Sequence, residues 1–245
     1  MAVPSVPIST VSIPVGDWIV EPDGHRWWFD SGSFALDFAY SGPMPTGVGR
    51  ERLNTPVELG EWFGARLPFA IGQARSRDLF DAVALRDAIA RMVAAAAAGA
   101  ELRPADVDLV NLYAATPDIP PSLGGGSRQA GRSVQSVAQS LSTIARDAVG
   151  LFDPANEGRI RICEGQCGYL FLDTSRAGTR RWCSMQRCGN RAKVRAHRAR
   201  KAKAAEAAGH TTLYVDSSMA EPMRTLLATA AAVAAKRPAD ASSAA

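Results

Sequence analysis

The only four cysteines of the chain stand in two close pairs, Cys163-Glu-Gly-Gln-Cys167 and Cys183-Ser-Met-Gln-Arg-Cys188, with fifteen residues between the pairs. This is the donor pattern of a closed tetrahedral metal site. Each pair lies on a turn that lets two thiolates face one ion, and the intervening segment brings the pairs together. Four soft sulfurs suit zinc and leave no open position for a catalytic water, so the chemistry is structural: one Zn2+ held by Cys163, Cys167, Cys183 and Cys188. Two other readings stand beside it, four free buried thiols or a redox disulfide, although neither pair has the two-residue spacing of a redox motif. Gly165 and Gly168 offer backbone freedom at the first turn. Catalytic constellations are not found. His25, His197 and His210 are scattered, no Ser-His-Asp set or HExxH helix is present, and Gly124-Gly-Gly126 lacks the Lys-Ser/Thr of a phosphate cradle. The chain reads as a non-enzyme.

Charge singles out the same region. Of 28 Lys+Arg and 24 Asp+Glu, the stretch from Arg159 to Lys203 holds 13 basic residues against Glu164 and Asp173, leaving 15 basic and 22 acidic residues elsewhere. A mildly acidic body is therefore joined to a compact basic module that carries every cysteine. Within that module Ser184 can cap a helix starting just after Cys183, on which Arg187, Arg191, Arg195 and Arg198 recur at spacings of four, four and three along one face. Lys193, Arg200, Lys201 and Lys203 add charge around it. So many like charges repel one another and invite a polyanion, and arginine forks pair with phosphate or with guanine in a major groove. The alternatives are a solvated face, or pairing with the acidic body of the same chain. Trp182 and Phe171 can stack on bases or serve as a small core beside the cysteines, and Asp173 reads as a turn residue accepting from Ser175 or Arg180.

These groups need elements to position them. Residues 1–24 carry no periodicity and read as a flexible arm or one short strand. The run from His25 to Ser41 alternates enough to be a strand or a buried loop, with Trp27, Trp28, Phe34, Leu36 and Phe38 supplying core. Thr55-Pro56-Val57-Glu58 is a capping-box start for a helix burying Leu59, Trp62 and Phe63. A longer helix runs from Ser76 to Ala98 on the stripe Leu79, Val83, Leu85, Ile89, Met92 and Val93, with Gly99 after its end. A third helix follows Pro104, and a fourth carries Val134, Val137, Leu141, Ile144, Ala145 and Val149. Residues 116–126 are turn chemistry, and Asp153-Pro154 opens the boundary. Beyond it, Tyr169 to Leu172 alternates as a strand of a small ribbon; residues 210–215 are strand-like, and Ser218 opens a last helix before a disordered tail.

The residues Cys167-Gly-Tyr-Leu-Phe-Leu-Asp-Thr-Ser175, Arg180-Arg-Trp-Cys-Ser-Met, and Cys188-Gly-Asn-Arg191 with the basic run Lys193–Arg200 resemble the CGNR zinc finger, which takes its name from the last of these motifs. The first cysteine pair is one residue closer here than is usual in that family, a shortened turn. Such fingers follow an N-terminal helical domain called ABATE, labelled a stress-induced transcription regulator, and Phe34-Ala-Leu-Asp-Phe38 resembles its early Leu-Asp-Phe motif. The resemblance implies a DNA-binding regulator.

The expected architecture is mainly α: an arm over 1–24, a helical ABATE-like domain over 25–155, a four-cysteine β-ribbon-plus-helix module over 156–205, and a C-terminal helix with a tail over 206–245. The expected function is zinc-dependent regulation of transcription, with Arg187, Arg191, Lys193, Arg195, Arg198 and Lys201 meeting double-stranded DNA; the alternative is a zinc-shaped protein-interaction or RNA-binding module. The helical body would receive a small-molecule or protein signal, or form a homodimer. No apolar run is long enough to span a bilayer and no signal peptide is evident, so a cytoplasmic, nucleoid-associated protein is expected. A core as small as the module's is expected to unfold on chelation and leave the helical body folded.

Overall fold

The computed structural model describes residues 13–21, 23–68, 71–117 and 134–207; the expected turn at 118–126 and everything expected beyond residue 207 lie outside them. Contacts gather the chain up to Ala192 into one compact unit, and a second begins at Lys193.

In the first unit, strands β1 (Asp17–Val20) and β2 (Arg26–Phe29) form an antiparallel hairpin with Asp17 opposite Phe29 and Val20 opposite Arg26. Period-two alternation sends Trp27 and Phe29 inward and leaves Trp28 39% exposed, so Trp28 is not the core residue that its aromatic neighbours suggested. Phe34 to Ala39, which read as strand or loop, is instead a short helix, α1, with all six residues buried. Burial on every side erases the periodicity by which a helix is recognised. What makes it helical is its start: Ser33 accepts from the Leu36 amide, and the Asp147 carboxylate accepts from both Ser33 Oγ and the Ala35 amide at 2.7 Å.

Four longer helices follow α1. They are α2 (Pro56–Gly64), α3 (Ser76–Ala97), α4 (Pro104–Ala114) and α5 (Val137–Leu151). The Thr55/Glu58 box is complete at α2, a Ser136/Gln139 box starts α5, and Gly99 takes the left-handed conformation after α3. The α5 stripe is shorter than expected, because Val134 precedes the cap and Val149 faces out.

The second sheet pairs β3 (Ile160–Ile162) with β4 (Leu170–Leu172), Ile160 opposite Leu172. All three residues of β4 are buried, and its faces serve two different cores. Leu170 and Leu172, with Ile160, pack into the cluster that holds α1, α3 and α5. Phe171 packs with Trp27, Phe29 and the cysteines. Tyr40, at the end of α1, fastens this strand: its hydroxyl accepts from the Leu170 amide at 2.7 Å and donates to the Leu170 carbonyl at 3.0 Å. The polypeptide after Ser184 first makes one wide π-helical turn, Met185–Gly189, and then the helix α6 (Asn190–Ala207).

Candidate metal centre and basic helix

All four cysteine sulfurs lie within 4.8 Å of one another, with Cys167–Cys183 and Cys183–Cys188 both at 3.6 Å. Sulfurs each about 2.3 Å from one tetrahedral zinc stand roughly 3.8 Å apart, so the cluster fits one such ion. Cys163, Cys183 and Cys188 are buried and Cys167 is half-buried. The one-residue-shorter first turn still closes, because Gln166 and Gly168 both adopt positive φ, 62° and 76°. Gly165 serves by size. A Cβ there would stand 2.8 Å from both Cβ and Sγ of Cys188, which is too close for any side chain to occupy.

Backbone amides turn toward the sulfurs as they do toward charged ligands. Gly165 and Cys183 each donate N–H to Cys163 Sγ at 3.3 Å, and Arg187 Nη1 donates to Cys188 Sγ at 3.6 Å. Hydrogen bonds from the Cys163 and Cys183 thiols hold Cys167 far below the ordinary thiol range, the same two-way bonding with Cys163 and Cys167 pushes Cys183 up, and burial pushes Cys188 up to about 11. Four thiolates this close need a cation among them, and a dication supplies it.

The scaffold around the sulfurs is knit by residues whose roles the sequence only partly disclosed. Asp173 accepts from the Ser175 and Arg180 amides at 3.0 and 2.8 Å, the turn role expected of it. Burial alone would raise its carboxyl, but these hydrogen bonds outweigh it and hold Asp173 below the usual range. Arg180 does more than cap that turn. Its guanidinium donates to the carbonyls of Trp182, Cys183 and Asp30 at 3.0, 2.6 and 2.8 Å and lies 4.4 Å over the Phe171 ring. Phe171 is fully buried in that cluster and serves as core.

The basic residues divide. Lys193, Arg195, Arg198 and Lys201 are exposed and, among the described residues, form no ion pair. Arg191 is exposed too, with Glu21 at 3.9 Å. Arg187 is different. It sits in the π turn before α6, and it is 13% exposed on its side chain, ion-paired with Glu21 and stacked over Trp27 at 4.9 Å. Asn190 donates its side-chain amide to the Gln186 carbonyl at 3.1 Å.

Residues 32–153 match the ABATE family, described as "Putative stress-induced transcription regulator", and residues 159–201 match the CGNR zinc finger. Together they take in about two thirds of the chain, in the order helical domain then finger, and neither is an enzyme family. No curated relative matches the chain. With a four-sulfur centre built for one structural zinc and a helical domain ahead of it, the chain belongs to the CGNR zinc-finger proteins that carry an N-terminal ABATE domain.

Proposed function

We propose that this protein is a zinc-dependent DNA-binding transcription regulator, in which Cys163, Cys167, Cys183 and Cys188 all ligate one zinc and the basic helix meets duplex DNA. The observation that carries the reading is α6 itself: from Lys193 to Lys203 its cations are exposed, with no acidic residue interspersed. A helix polar on every side gains nothing from packing and is suited to a charged partner. When bound, zinc cross-links the two cysteine turns and supplies no reaction chemistry. Arg191, Lys193, Arg195, Arg198 and Lys201 then contact the duplex. Most of these contacts go to phosphates, because one short helix has little surface with which to specify sequence. Arg187, turned to Glu21, serves by holding the helix start. The helical body receives the signal or pairs two copies, and the protein acts in the cytoplasm at the nucleoid. No helix among the described residues is long and apolar enough to cross a membrane.

Salt titration tests this with duplex DNA, single-stranded DNA and RNA of one sequence. Duplex affinity should fall steeply with salt, and replacing Arg198 or Lys201 by Ala should weaken binding on any sequence and flatten the log–log slope by about one each. If substitutions at Arg191, Arg195, Arg198 and Lys201 leave duplex affinity unchanged, the DNA reading is wrong. A preference for RNA, or for no nucleic acid, gives the lead to the RNA-binding or protein-interaction reading.

A further inference from the structure

The hairpin at residues 17–29 lies outside both matched segments, yet it supplies two of the six residues of the core cluster that contains three of the cysteines, Trp27 and Phe29. Its turn carries Glu21, only 17% exposed on its side chain, which does two things at once. Glu21 Oε1 accepts the Trp27 indole N–H at 3.1 Å and is ion-paired with Arg187 Nε. Arg187 spends another N–H on Cys188 Sγ and lays its face on the Trp27 ring. Carboxylate, indole, guanidinium and ligand sulfur thus form one continuous contact from hairpin to metal centre. We propose that the β1–β2 hairpin is a third part of the zinc centre, and that Glu21, acting through Arg187, is a positioning residue for the Cys188 sulfur and for the turn from which the basic helix departs.

The physical case rests on what a four-thiolate site lacks. Zinc with four thiolates carries a net double negative charge, and N–H donors that share this charge steady the ligands. Arg187 brings a full positive charge within hydrogen-bond reach of one sulfur. An arginine with no restraint would swing into water or onto a phosphate; Glu21 and the Trp27 face hold its planar fork in one orientation. Lysine could supply the charge but neither the fork nor the stacking. A half-buried ion pair is weak evidence for stability, and its better-attested use is to fix one arrangement among several.

The inference rests on the four-cysteine zinc reading and is tested in the full chain by the rate of zinc transfer to a chromogenic chelator, with zinc content, thermal unfolding and the DNA salt slope measured alongside. Glu21→Ala and Arg187→Lys should each lose zinc about 10- to 100-fold faster or bind it correspondingly more weakly, the range for partners of ligating residues. Glu21→Gln, which keeps the acceptor without the charge, should fall between. Trp18→Ala, on the exposed face of the same hairpin, should release zinc as the parent does. Val110→Ala, a core truncation in α4, lowers the melting temperature without this contact, and should not reproduce the effect. Equal acceleration by Val110→Ala and Glu21→Ala would overturn the proposal, since the hairpin would then add only general stability. So would unchanged release in Glu21→Ala together with a salt slope about one lower in Arg187→Ala, which would make Arg187 a DNA contact. A parent chain that binds no zinc overturns both readings; one that binds one equivalent and releases it equally fast with or without Glu21 overturns this one alone.

Discussion

Removing zinc should loosen the helical body as well as the finger, contrary to what the size of the basic module suggests on its own. Ile160, Leu170 and Leu172 belong to the same buried cluster as α1, α3 and α5, while Phe171, from the same strand, packs against the cysteines. If the cysteine turns separate, β4 loses the packing on one face and the ribbon is freed from the other. Exposing three such apolar side chains costs about 1.5–3 kcal/mol each, so on the order of 5–9 kcal/mol in all. That is comparable with the whole stability of an ordinary domain, about 5–15 kcal/mol. For a unit of this size, each kcal/mol moves Tm by about 2–4 °C, so a loss of that size lowers Tm by at least about 10 °C on chelation. Scanning calorimetry with and without chelator, alongside near-ultraviolet circular dichroism of the tryptophans, reads this directly. The expected result is one cooperative transition shifted down as a whole. A main transition that stays within about 2 °C, with loss only of a minor share of far-ultraviolet signal, would refute the shared-core argument.

Other outcomes follow from single residues. Gly165→Ala should weaken zinc binding sharply in metal titrations, because the new methyl meets Cys188 at 2.8 Å; parent-like affinity would mean that the turn has room to give. Burial raises the Asp37 carboxyl to about 6 against hydrogen bonds from Ser31 and Gly16. Because the folded value lies above the unfolded one, the fold holds the proton more tightly, and this contribution is full below about pH 4 and lost as pH rises through about 6. Relative to Asp37→Asn, the parent should lose on the order of 3 kcal/mol between those limits in denaturant titrations; a constant difference would contradict it. Arg86, 3% exposed on its side chain, pairs with Glu51 and Asp87, which are 37% and 41% exposed, so Arg86→Ala should cost about 2–3 kcal/mol, chiefly by emptying the space its buried side chain fills. Arg77→Ala, which breaks the exposed helical pair with Asp81, should cost about 0.2–1 kcal/mol, and similar losses for both would refute the burial argument.

The metal centre was legible in the sequence because its information is local. Two cysteine pairs on short turns, and Asp173 two residues before Ser175, specify contacts that span few residues. The helices α2, α3 and α5 were legible for the same reason: a capping box for α2, a 3.6-residue stripe and, for α3, a glycine past the end are all written within one element. The helix α1 was not, since total burial removes its polar face, and the cap interaction that defines it comes from Asp147, 114 residues away from Ser33. Trp27 and Trp28 are identical in type and adjacent, so only the pairing of β2 with β1 settles which of them enters the core. The stripe of arginines likewise followed from spacing, but the ion pair of Arg187 with Glu21 and its stacking on Trp27 join it to a distant segment that no spacing reveals. Residue type and short-range spacing therefore determined the zinc centre, the capped helices and the cations of α6. Tertiary structure alone decided that the hairpin covers the cysteines and that β4 has a core on each face, because the hairpin and α1 meet segments more than 100 residues away and no local pattern encodes which distant surface a buried side chain will meet.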